Sequence, residues 1–324
     1  MGQRTHMTLI GYALSSEEHS APELLEFAIA AEQAGFRDVM VSDHFHPWVD
    51  AQGNSPFVWG VLGAIGAATN LRVGTGVTCP LIRTHPAIIA QAAATAATLC
   101  PGGFFLGVGA GEHLNEHILG DRWPATDERH AMLEEAVLLI RQLWAGGTQS
   151  FDGEFYVVDH ARIYSLPDEP PPITVSGFGP KAAELAARIG DGYVNTGPDA
   201  ELVKTYTDAG GTGPIQVMAK VCWHADAAEA RKLMHHLWPN SGLAGELAQE
   251  LKTPAHFEQA SSLVDEERAV GDKPHGPDPE PYVEYVRTFV EAGFTEIYVQ
   301  QIGKDQEGFF RFWNDEVVPR LDFL

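Results

Sequence analysis

Eight times along this chain a short apolar run gives way to an amphipathic helical segment, and that alternation restricts the fold more than any single motif does. The strand-like runs fall at 8–12, 38–41, 71–77, 104–108, 173–175, 192–195, 215–222 and 296–300. Helical spacing predicts segments at 22–35, 57–69, 86–100, 128–144, 181–189, 199–208, 225–238, 281–292 and 306–318. The first helix shows the signals: Pro22 at its start, Leu24, Leu25, Ala28 and Ile29 at helical spacing, and Gly35 at its end. Strands that alternate with helices pair in parallel, and eight such units predict closure into a (β/α)8 TIM barrel rather than an open sheet. Two stretches interrupt the alternation: a predicted β-hairpin at 148–166 before the fifth strand, and a Pro-flanked helical excursion at 239–275 before the eighth. Either would shape access to a barrel mouth, or serve as surface decoration or a subunit contact.

Polar chemistry in such a barrel collects at the C-terminal strand ends. The second strand runs directly into Ser42-Asp43-His44-Phe45-His46-Pro47-Trp48, and the fourth ends in Gly109-Ala110-Gly111-Glu112. The other ends add Ser15, Ser16 and Glu17; Gly76, Val77, Thr78 and Cys79; Asn115; Ser176 to Gly179; Asn195 and Thr196; Trp223 and His224; Gln300 and Gln301. This mouth suits a flat, partly anionic cofactor. A metal is not expected, because the His44-x-His46 pair needs further ligands and the fifth, sixth and eighth strand ends offer no His, Asp or Glu. Ser176-Gly177-Phe178-Gly179-Pro180-Lys181 opens a helix, so free amides, the positive helix end and the Lys181 charge would face an anion; a tight connecting turn is the plain alternative. His44 with Asp43 beside it and Glu112 on another strand form an acid–base set in which a histidine removes a hydroxyl proton and a carboxylic acid handles a second one.

A length of 324 residues without an internal linker predicts one elaborated domain over 1–324, with 1–7 as a terminal tail or an expression remnant. The formal charge of −23, from 44 acids against 21 bases, would repel nucleic acid and anionic membrane surfaces, so an anionic ligand must be held locally. No apolar run approaches the roughly 18 residues of a membrane span. Three scattered cysteines, Cys79, Cys100 and Cys222, fit a reducing cytoplasm better than a disulfide framework.

Together, Gly11-Tyr12 with Glu17, Ser42-Asp43-His44-Phe45 with Trp48, Gly74-Thr75-Gly76-Val77-Thr78-Cys79-Pro80 with His85-Pro86-Ala87, and Gly107-Val108-Gly109-Ala110-Gly111-Glu112 with Asn115-Glu116 resemble the luciferase-like flavin and deazaflavin oxidoreductases. Within them the pattern is most similar to the branch of glucose-6-phosphate dehydrogenases that use coenzyme F420. The resemblance covers about residues 8–198 and returns over 281–322. It implies a luciferase-like TIM barrel, a homodimer, a coenzyme bound at the C-terminal mouth and a cis peptide at Gly76-Val77. It also implies that His44 deprotonates a substrate hydroxyl, Trp48 shields the developing charge, Glu112 delivers a proton to the reduced ring and Glu17 is a further active-site acid. Asp43, Gly76, Val77, Cys79, Ala110, Gly111, Asn115, Phe178, Gly179, Lys181 and Ala182 match coenzyme-contact positions, and Thr196 a substrate position.

Where the sugar-phosphate enzymes place a lysine after the sixth strand, this chain has Asp199, and Glu267 falls near a second phosphate lysine. The expected activity is therefore hydride transfer between F420 and an alcohol, ketone or sugar-like small molecule rather than glucose 6-phosphate. An FMN-dependent monooxygenase and a non-catalytic flavin-binding barrel that recruits partners through Trp223 and the hairpin are the alternatives.

Overall fold

The computed structural model of the chain describes residues 8–324, so the reading of 1–7 lies outside the described residues. Ten strands are present among the described residues: β1 (Leu9–Leu14), β2 (Asp38–Val41), β3 (Arg72–Thr75), β4 (Phe104–Val108), β5 (Gln149–Asp152), β6 (Val157–Ala161), β7 (Ile173–Ser176), β8 (Gly192–Asn195), β9 (Ile215–Val221) and β10 (Glu296–Gln301). Eight of them close a parallel barrel in the order β1-β10-β9-β8-β7-β4-β3-β2. The remaining two, β5 and β6, form the separate antiparallel hairpin expected before the fifth barrel strand.

The barrel interior is filled in layers by alternate residues of the strands. At the N-terminal end Arg72 pairs with Asp38, reaches Glu296 at 2.7 Å and the Tyr298 hydroxyl at 3.0 Å, and lies 5.2 Å over the Phe105 ring. Ala13, Met40, Phe105, Tyr298 and the adjoining Met218 form the apolar layer above. Glycine makes that layer possible, since a Cβ on Gly74 would stand 2.2 Å from the Phe105 ring and one on Gly11 2.5 Å from Tyr298. Above these, Ser42, Lys220 and Gln300 continue the inward rows of β2, β9 and β10 and form the base of the mouth.

Most element boundaries shift from the sequence reading by one or two residues, and two departures are larger. The final helix is α-helical only over Gln306–Phe312, then passes through a π turn at Trp313–Val317 and a 3-10 turn at Val318–Arg320. Pro319 has no amide proton to donate and its ring crowds the preceding turn, so a regular helix cannot run to its end. A short helix, His113–Glu116, had no readable period because four residues are too few to show one. The excursion at 239–275 is helical as expected, over Leu247–Glu250, Pro254–Ser261 and Glu266–Val270, with a 3-10 turn at Pro239–Gly242. No described helix is long and apolar enough to cross a membrane.

Candidate active site

Three strand ends converge on the His44 imidazole. Its Nε2 lies 3.4 Å from Glu17 Oε1, which follows β1, and 3.6 Å from Glu112 Oε2, which follows β4. The Trp48 ring stands 5.0 Å from the imidazole, and Phe257 of the helical excursion packs edge-on against Trp48 at 5.1 Å. Among the readings of that excursion, the contact favours a wall of the mouth.

The two carboxylates differ in their surroundings. Burial alone would raise the Glu17 carboxyl, but the His44 charge and hydrogen bonds from the Ser42 hydroxyl at 2.6 Å and the Ser15 hydroxyl at 2.8 Å hold it below the usual range. Burial raises Glu112, and the His44 charge and a 2.9 Å hydrogen bond from Asn115 only partly offset that. Neighbouring carboxylates driven in opposite directions separate an ionised partner from a proton holder. Asn115 sets the geometry between them: its Oδ1 accepts from the Phe45 and His46 amides at 2.9 and 3.1 Å, which fixes its Nδ2 on Glu112 and 3.1 Å from His44 Nδ1. His44 Nδ1 also lies 3.1 Å from the His46 carbonyl. A proton donated to that carbonyl leaves Nε2 free to accept one from the pocket side.

Asp43 accepts from the Thr78 hydroxyl at 2.8 Å and Arg83 at 3.0 Å, and Arg83 is also held by Glu116. The structure thereby commits Arg83 to these two acids. Around Asp43, the amides of Val77, Cys79, Ala110 and Gly111 donate to no acceptor among the described residues, and the Gly76-Val77 peptide is cis. Gly111 has φ +77°, and a Cβ there would meet Cys79 Sγ at 2.5 Å, so only glycine fits. Across the mouth the Phe178, Gly179, Lys181 and Ala182 amides are likewise without a described acceptor at the start of helix Pro180–Ile189, with open space beside Gly179. Such a row of free amides suits carbonyl and phosphate oxygens.

Several expected placements are corrected. The Lys181 ammonium is turned outward onto Asp127 at 2.8 Å, leaving the turn with amides rather than a side-chain charge. Thr196 is exposed, its amide bonded to Asn195 Oδ1 at 2.6 Å. Trp223 packs outside the barrel against Phe312 at 6.0 Å, because it continues the outward row of β9, and His224 turns onto the Asp226 carbonyl. Asp199 caps helix Ala200–Asp208 by accepting from the Leu202 amide at 3.0 Å, and Glu267 is exposed on helix Glu266–Val270. Neither acid lines the base of the mouth. His46 stacks on His117 at 5.5 Å, away from His44, and no group of three or more His, Cys, Asp or Glu able to hold a metal occurs among the described residues.

Glu18, Trp238 and Lys220 escaped sequence reasoning as a unit. Glu18 accepts from Trp238 Nε1 at 2.6 Å and from the Gly303 amide at 2.7 Å, and burial raises its carboxyl to about 7. The partners come from 220 and 285 positions away, so no local pattern announces them.

The model of the luciferase-like monooxygenase family matches residues 5–296. An F420-dependent glucose-6-phosphate dehydrogenase of Microbacterium testaceum is 37% identical, with 96% of each chain covered. An F420-dependent hydroxymycolic acid dehydrogenase of Mycobacterium tuberculosis is also 37% identical, over 97% of this chain and 85% of its own length. Among solved structures, an F420-dependent secondary alcohol dehydrogenase in complex with an F420-acetone adduct superposes with a TM-score of 0.88 at 30% identity, covering 97% of this chain and 99% of that one.

Proposed function

We propose that this chain, which belongs to the luciferase-like monooxygenase family, is an F420-dependent oxidoreductase that moves a hydride between the coenzyme and an alcohol or ketone. The observation that carries the reading is the convergence of His44, Glu17 and Glu112 beside a row of unpaired amides. Those amides, with Asp43 and Asn115, fit a ring bearing carbonyl oxygens, and the Phe178 to Ala182 turn fits a phosphate-bearing tail. When bound, the deazaflavin supplies a hydride acceptor or donor. His44 Nε2 takes the hydroxyl proton of the substrate. Glu17, held ionised, stabilises the resulting imidazolium; Glu112, with its raised carboxyl, holds the second proton; and Trp48 screens the reacting carbon from water.

The substrate we propose is neutral. The basis differs from the one read in the sequence, since Asp199 and Glu267 stand away from the base of the mouth. There Glu17, held ionised, offsets the charge of Lys220, so no net positive charge remains at the base of the mouth to hold an incoming dianion. Fluorescence titration of the purified protein is expected to show F420 binding more tightly than FMN. The loaded enzyme is expected to turn over neutral secondary alcohols or free sugars with higher kcat/KM than glucose 6-phosphate. Tighter FMN binding would shift the reading to a monooxygenase, and a preference for the phosphate ester would overturn the neutral substrate.

We also place the protein in the cytoplasm, as a homodimer. Helices Val58–Ala68 and Pro86–Leu99 pack side by side without one charged residue, in a chain that is 20% charged. They and their flank leave Phe57, Ile88 and Leu99 exposed by 67, 57 and 43%. A smooth apolar face of this kind matches a second copy of itself. Light scattering is expected to give about twice the chain mass, and Ile88→Glu to give the single-chain mass with F420 binding retained; a monomeric parent protein would contradict the assignment.

A further inference from the structure

Lys220 continues the inward row of β9 above Met218, and its ammonium lies 4.2 Å over the Trp238 ring. Trp48, which touches His44, packs against the same apolar cluster that contains Trp238. Lys220 therefore stands on the substrate side of the mouth. Burial depresses its pKa, and the opposing carboxylates are Glu17, Glu18 and Glu112, two of which flank His44. None of them lies within ion-pair distance, and the ammonium donates no hydrogen bond to any described residue. Lys273, the other recessed lysine of this region, is already committed, because it donates to the Ala269 and Val270 carbonyls at 3.2 and 3.1 Å.

A recessed ammonium with three donors and no protein acceptor is costly unless the ligand supplies oxygens. We propose that Lys220 is a substrate-recognition residue, whose ammonium hydrogen-bonds a second oxygen of the substrate, so that the site selects neutral polyols and sugar-like alcohols over monofunctional ones. The inference rests on the alcohol oxidoreductase reading above and narrows its substrate class. Neutrality follows from the ionised Glu17, which already offsets the charge of Lys220, and the second oxygen from the separation of roles. His44 receives the reacting hydroxyl, leaving Lys220 to an oxygen elsewhere on the same molecule.

The test compares the parent enzyme with Lys220→Met and Lys220→Arg on glucose and propan-2-ol, loaded with F420. Tryptophan fluorescence on titration with glucose alone is read in parallel. For Lys220→Met, kcat/KM for glucose is expected to fall at least about 20-fold more than for propan-2-ol, the scale of a hydrogen bond to a charged group. The loss should lie mainly in KM, the fluorescence response to glucose should weaken likewise, and Lys220→Arg should recover part of both. Unchanged F420 binding by the Met variant establishes that it is folded. Equal losses on the two alcohols, no loss on glucose, or a parent protein that does not respond to glucose would each overturn the assignment. Failure of the parent to bind F420 would instead sink the oxidoreductase reading, and the glucose titration would still decide the role of Lys220.

Discussion

His44→Ala is expected to lower turnover at saturating alcohol by at least about 100-fold while leaving F420 affinity little changed, the usual scale for loss of a general acid–base group. The imidazole lies within 4 Å of both Glu17 and Glu112, and its ring is held by the His46 carbonyl and packed against Trp48. Alanine removes the proton acceptor without touching the amides that would hold the coenzyme. Glu112→Gln should lose turnover on a similar scale, because the amide keeps the contact with Asn115 yet cannot exchange the proton that burial favours on the acid. Steady-state rates of F420 absorbance change, with binding read separately by fluorescence, make the comparison. Parent-like turnover in the histidine variant would remove His44 from the chemistry.

The second large effect lies at the opposite end of the barrel. Arg72→Met is expected to destabilise the fold by about 3 kcal/mol, because it strands two acids, Asp38 and Glu296, that are 5 and 12% exposed. The low end of the range for a broken buried pair applies, since the arginine itself keeps 27% exposure. Burial already pushes the Asp38 carboxyl up against the pull of Arg72, which shows how much its ionised form depends on that cation. Urea unfolding followed by circular dichroism measures the loss. Adding Asp38→Asn and Glu296→Gln should recover part of it by removing the unpaired charges, and a loss below about 1 kcal/mol in the single variant would show that solvent replaces the arginine. Turnover of the folded fraction should stay near the parent value, because the apolar layer of Met40, Phe105 and Tyr298 separates this cluster from the mouth.

A recessed barrel mouth on an acidic protein also explains how the charge is organised. The chain carries a net −23, while the acids at the mouth are set by burial, by His44 and by individual hydrogen bonds rather than by that field. Such short-range control makes Glu17 and Glu112 differ although both lie within 4 Å of the same nitrogen.

The sequence by itself determined the element types, the parallel barrel and the strand ends that meet at the mouth. Those properties follow from periods of two and 3.6 residues and from the rule that parallel strands share one C-terminal face. Glu17, His44 and Glu112 were legible for that reason, each standing just beyond a strand. Only the tertiary structure decided which residues at and beyond a strand end turn inward. It sent Lys220 into the mouth and Trp223 out to Phe312, a choice fixed by the phase of β9 against its neighbours. It also decided the partners of the charges: Arg83 with Asp43, Lys181 with Asp127, Asp199 with its own helix, and Glu18 with Trp238. Except for the Asp199 cap, these pairs join segments 40 to 220 residues apart, and hydrogen bonding acts over about 3 Å in space with no period along the chain to reveal it.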